Sequence, residues 1–184
     1  MKLVNWVDFS NQAAANASDA LKRWTGGTFE LKHKGFERLS FESLFHKVHW
    51  KDSETISIFM GIDEGESGAF LLVFSRPDVE ALGRAVMKVQ GVESDSDMIL
   101  KSAVLETANV LGSDFLNRLG VCLGRSIRPT PPAWIEDFAE STLQSILSMV
   151  AASQSDTLWS EIFFEPGHHG KMLFLPIFSK LETA

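Results

Sequence analysis

Ser102, Glu106, Asn109 and Ser113 follow one another at intervals of four, three and four in a stretch otherwise dominated by aliphatic side chains. On a helix advancing about 100° per residue they share one narrow stripe, with Leu100, Val104, Leu111, Phe115 and Arg118 roughly opposite. Met98, Leu105 and Leu116 run along one edge of the stripe, and Ile99 and Val110 along the other. A carboxylate and a carboxamide framed by aliphatic side chains read as a small polar slot in a docking surface. A core helix that tolerates one polar stripe would show the same pattern.

Other chemistries find little support. Cys122, the single cysteine, sits between Val121 and Leu123 with no histidine nearby in sequence, as a packed thiol would, and no GxSxG elbow occurs. A single cysteine cannot form an intramolecular disulfide, so a reducing compartment is expected. His46 and His49 have helical spacing and His168 and His169 are adjacent, but no metal motif accompanies them, so no metal site is expected. The GG and GESG stretches lack the Lys and Ser or Thr of a phosphate-cradling loop and read as turns. The net charge of −7 and the absence of a basic run argue against nucleic-acid binding. No apolar segment is long enough to span a bilayer, and the interrupted amino-terminal run lacks a signal-peptide core, so a cytoplasmic protein without membrane insertion is expected.

The elements that would carry the stripe can be read in outline. Asn5 to Trp24 predicts an alanine-rich helix ended by Gly26 and Gly27, and Thr28 to Leu44 an extended or irregular segment. ETISIFMGID and SGAFLLVF predict a hairpin around DEGESG, and Ser75 with Pro77 opens a helix. The central helix should stop near Gly120, with Val121 to Arg128 as a strand before the PTPP turn and Ala133 to Ala152 as a further helix. LWSEIFFE and KMLFLPIF predict a closing hairpin around PGHHG. The two halves follow a similar order, consistent with a degenerate internal duplication within a single domain spanning residues 1–184. Aligning LKRW with LNRL puts no Glu and Asn in the first half, and the closest register offers only Asp8, Gln12 and Ala15.

Ser102, Glu106 and Asn109, followed after twenty-one residues by Pro131, match the spacing [D/S]-x3-E-x2-N-x21-P. In this the chain resembles the CheC, CheX and FliY family of chemotaxis phosphatases, most specifically over Ser102 to Pro132. The resemblance implies an α+β, CheC-like fold with pseudo-two-fold halves and two long helices over an antiparallel sheet. It implies hydrolysis of the aspartyl phosphate of a CheY-like response regulator. Asn109 would orient the attacking water, Glu106 would pair with the regulator's lysine, and Ser102 and Pro131 would support the motif. A carboxamide suits the first task because it donates and accepts without placing a negative charge beside phosphate. Met98, Ile99, Leu105, Val110 and Leu116 become the candidate docking rim. No cofactor of its own is implied, since the regulator supplies the Mg²⁺. CheC carries two such motifs, whereas CheX has one per subunit and works as a dimer, so a homodimer is among the arrangements the resemblance allows. The alternative is a catalytically weak CheC-like adaptor for a signalling or flagellar-switch partner.

Overall fold

Continuous apolar runs on the central strands set the architecture, because both faces of the sheet must then be covered. A computed structural model describes residues 5–47, 54–63, 67–152 and 154–177. The elements are α1 (Trp6–Trp24), β1 (Glu30–His33), β2 (Glu37–Ser40), α2 (Phe41–Lys47), β3 (Glu54–Ile62), β4 (Gly68–Ser75), α3 (Arg76–Val89), α4 (Asp97–Leu123), β5 (Ala133–Phe138), α5 (Ala139–Val150), β6 (Asp156–Glu165) and β7 (His168–Pro176). His49, the turn residues 64–66 and Phe178 lie outside the described residues.

The strands form one antiparallel sheet in the order β1-β6-β7-β4-β3-β5, with β2 also pairing β6. Exchanging β1 with β5, β3 with β6 and β4 with β7 reads that order backwards. The expected duplication is therefore visible as a pseudo-two-fold between β4 and β7, and each half places an outer strand beside the other half's hairpin. Among the described residues, β2 and α3 are the elements without a counterpart.

One face of the sheet presents Ile58, Met60, Phe70 and Phe174 to α1, α3 and α4. At its centre the Phe115 ring lies 5.0 Å from Phe70, 5.5 Å from Phe174 and 5.7 Å from Phe36, distances at which aromatic pairs attract. Two small-residue contacts bring α4 close: a Cβ on Gly112 would lie 2.5 Å from the Met60 sulfur, and one on Gly83 of α3 would lie 2.9 Å from Leu100 and Val104. Helix α1 packs along α4, burying Ala13, Ala14 and Ala17 completely. The opposite face presents Leu71, Leu173 and Leu175 to Leu44 of α2 and to Leu143, Ile146 and Leu147 of α5.

Four expectations are corrected. Helix α4 runs past Gly120 to Leu123 and ends on Gly124 at φ 69°. Gly120 serves close packing instead, since a Cβ there would lie 2.6 Å from the Arg125 carbonyl oxygen. Residues 121–128 are accordingly not a strand. Ala133–Phe138 is a strand rather than the start of a helix, because pairing with β3 sends the adjacent Trp134 and Ile135 to opposite faces of the sheet, each onto a different core. Asp137 then helps open α5, accepting from the Phe138 amide at 2.7 Å and the Ser141 hydroxyl at 2.9 Å. The expected extended segment from Thr28 to Leu44 ends in α2, where the Ser40 hydroxyl accepts from the Ser43 amide at 3.1 Å in the manner of a helix cap.

Candidate functional site

Helix α4 lies with Val104, Ala108, Leu111, Phe115 and Leu119 inward, so Ser102, Glu106 and Asn109 fall on its outer side. Ser102 and Glu106 are exposed and Asn109 is half-buried. Glu106 makes no hydrogen bond or ion pair with any described residue. The Asn109 Oδ1 accepts from the Ser113 hydroxyl at 3.4 Å, one turn along the helix, and its Nδ2 donates to no described residue. The arrangement leaves one carboxylate and the donor end of one carboxamide available to an incoming group.

The aliphatic edges separate into two kinds. Met98 is 78% exposed and Ile99 39%, while Leu105 and Val110 are half-buried. Leu116, expected on the rim, is 0% exposed and belongs to the core. On the next turn, the chain returning from α4 lays the Arg125 carbonyl and Ile127 over Gly120, and Ile127 shares Leu116's cluster. The carboxy-terminal part of that edge is thus interior, while Met98 at its start is exposed. Arg118, expected on the buried back, is instead half-buried at the seam with α1, where its Nη2 donates to Gln12 Oε1 at 3.0 Å. Sequence reasoning missed Asn117 and Val121, which are exposed on the outer side of α4; continuing the wheel two turns beyond Ser113 would have found them.

Pro131 is exposed within a segment fixed to the end of β3. The Thr130 amide donates to the Gly61 carbonyl at 2.9 Å, and the Gly61 amide donates to the Thr130 hydroxyl at 2.8 Å. Asp63 ties down the preceding residues, receiving Arg125 Nη2 at 2.9 Å and the Arg128 amide at 3.0 Å. Prolines lack an amide donor, and the side chains of Asp63 and Thr130 help hold the chain where regular pairing stops. The role of Asp63 in this segment carries no signal in sequence, because Arg125 and Arg128 are more than sixty residues away.

The first-half helix offers no second copy of the site. Gln12, closest in register to Glu106, is occupied by Arg118, with the Cys122 sulfur 4.0 Å from the same oxygen. The histidines considered as ligands are dispersed: His46 is exposed, His168 lies beside Phe29, and His169 lies edge-on to Phe163. Among the described residues no three His, Cys, Asp or Glu side chains gather as metal ligands. No helix among them is long and apolar enough to cross a membrane.

Comparison with protein-family models and with curated proteins finds no match in either. Solved structures do match over nearly the whole chain. FliY from Thermotoga maritima superposes with a TM-score of 0.70 at 18% identity, covering 100% of this chain and 98% of its own. The chemotaxis protein CheX from Desulfovibrio desulfuricans gives 0.61 at 13% identity over 92% and 99%. FliM from H. pylori, in a complex with FliG, gives 0.60 at 12% identity over 97% and 96%. The fold is that of the CheC/CheX/FliY family. The chain is, by architecture, a CheC-like α+β module.

Proposed function

We propose that this module hydrolyses the aspartyl phosphate of a CheY-like response regulator in the cytoplasm, with Glu106 and Asn109 as its working pair. The observation that carries the reading is their presentation: one turn apart on the outer side of α4, with Glu106 and the Asn109 amide group bonded to no described residue and Met98 and Ile99 exposed on either side. An acyl phosphate is already activated, so the chain need only position water and stabilise its approach. Asn109 would hold the water through its carboxamide, opposite the P–O bond to the aspartyl oxygen. Attack forms a new P–O bond from water, breaks the bond to the aspartyl group, and yields inorganic phosphate and the free carboxylate. Glu106 would meet the regulator's lysine and fix the register of the complex. The regulator's own Mg²⁺ arrives as part of the substrate.

A binding or adaptor role is the second reading, and a specific likeness favours it: FliM, which shares this fold, is found in a complex with FliG. The two readings part on turnover. Phosphate loss from a cognate phosphorylated regulator, followed with and without the protein, should accelerate under the first. Equal rates despite measurable binding would exclude the phosphatase and leave the adaptor.

A further inference from the structure

We propose that Lys101, laid across the Trp134 ring at the edge of the slot, recognises an acidic side chain beside the regulator's phosphorylated aspartate. On the phosphatase reading, on which this rests, such a contact selects the partner. Helix α4 carries two cations, Lys101 and Arg118. Arg118 is engaged with Gln12 at the α1 seam. Lys101 is exposed, one residue before Ser102 and five before Glu106. That spacing sets it about 7.5 Å from Glu106 along the helix axis and about 140° around it. Two opposite charges therefore flank the polar stripe.

Trp134 gives the lysine a fixed support. The Lys101 ammonium lies 5.2 Å from the centroid of the Trp134 ring, within the range at which a ring face attracts a cation. Trp134 stands opposite Ile58 of β3, packs against the core beneath α4, and donates from Nε1 to Glu136 Oε2 at 3.4 Å. Glu136 is itself ion-paired with Arg76 of α3. A lysine already held on a flat surface loses less side-chain freedom on meeting a partner than one moving in solvent. The same contact locates the chain that follows α4. Ile127 lies against Gly120 and Trp134 against Lys101, so the segment between them runs back along the helix, and Asn109 and Pro131 both fall within that interval. Lys101 and Trp134 close the interval at the amino-terminal end of α4.

The partner's chemistry supplies the anion. Mg²⁺ is held by oxygen ligands that include carboxylates, so a regulator that brings Mg²⁺ to an aspartyl phosphate carries further acidic groups around it. This chain has a net charge of −7, and Asp97, one turn before Lys101, is exposed, as Glu106 is. Without a cation at the rim, the two surfaces would meet with like charge. Lys101 forms no ion pair with Asp97 or with any other described residue. A lysine of the regulator on Glu106 and a carboxylate on Lys101 make two contacts of opposite sign, which together fix the direction in which the partner lies along α4.

Binding of the full chain to a CheY-like regulator from the same genome, its aspartate capped with beryllofluoride and Mg²⁺, tests the assignment at two ionic strengths. Lys101→Met should raise Kd about threefold to tenfold, flatten its dependence on salt and leave the urea midpoint unchanged. Lys101→Arg, which keeps the charge and the ring contact, should bind within about twofold of the wild type. Lys101→Glu should bind more weakly than Lys101→Met. In turnover of the phosphorylated regulator, the loss at Lys101→Met should appear in KM with kcat retained, the reverse of Asn109→Ala. The Trp134 indole N–H resonance, identified by its absence in Trp134→Phe, should shift when the regulator is added. Undiminished binding by Lys101→Met and Lys101→Glu overturns the assignment and leaves any measured hydrolysis standing; a wild type that binds no such regulator overturns both. Lys101-dependent binding without turnover removes the hydrolysis and keeps the docking role of Lys101.

Discussion

The Ser113 hydroxyl donates to the Asn109 side-chain oxygen across one turn of α4, at 3.4 Å. The bond occupies one lone pair of Oδ1 and fixes which end of the carboxamide faces outward. A side chain proposed to position water is thus itself positioned by its own helix, while Glu106, three residues earlier, has no such restraint from any described residue.

Three substitutions separate the roles at this site. Asn109→Ala should reduce acceleration of aspartyl-phosphate hydrolysis by about 10²-fold or more, with binding of the regulator little changed. Glu106→Ala should act mainly on binding and appear in KM. Ser113→Ala should leave binding intact and lower kcat by less than about tenfold, since it removes an orienting bond only. Phosphate-release kinetics together with a direct binding assay would check all three; retention of full turnover by Asn109→Ala would remove it from the mechanism.

Met98 and Leu116 should behave oppositely despite sharing an edge of the helical wheel. Leu116→Ala creates a cavity in the core and should cost about 2–5 kcal/mol in urea unfolding. Met98→Ala should change stability by no more than about 0.5 kcal/mol, with its effect confined to partner affinity. A large stability loss at Met98 would contradict the exposed placement.

Asp63 joins the end of β3 to the segment that carries Pro131. Asp63→Ala removes the acceptor for both Arg125 and the Arg128 amide and should destabilise the protein by about 1–3 kcal/mol. Hydrogen exchange should accelerate at Arg128 more than at the centre of β4. Unchanged protection at Arg128 would show that the prolines alone hold the segment.

Lys171 makes a pH dependence of definite sign. Its amine titrates near 8 in the folded chain and near 10.5 when unfolded. Below about 8 both states are protonated and the folded state bears the cost of a poorly solvated charge. Between those values the unfolded state binds the proton more tightly, so this group's contribution to stability rises with pH through the window. Lys171→Met should therefore raise Tm at pH 7 and lose that advantage towards pH 10.5. A constant difference in Tm across the range would refute the assignment.

The legible parts of the molecule were those set by local pattern. Asn5 and the Gly26–Gly27 pair bound α1, Ser75 and Pro77 open α3, and β-branched and aromatic runs mark the two hairpins, as local propensity and turn chemistry require. The segment from Gly120 to Phe138 was misread because its conformation depends on distant partners. Trp134 and Ile135 look helical beside the following apolar residues, but β3 supplies an open edge that draws them into a strand.

Sequence alone determined that Ser102, Glu106 and Asn109 share one stripe of a long helix, because helical periodicity fixes that relation wherever the helix goes. It also determined that the first half lacks the same pair. Tertiary packing decided which flanks of the stripe remain available: Leu116 on one edge is buried in the core, while Met98 and Ile99 stay open. It also decided that Gln12 is occupied by Arg118 and that Lys171 stands in a pocket across the sheet. Burial and pairing of this kind arise between residues far apart in the chain, where no periodicity records them.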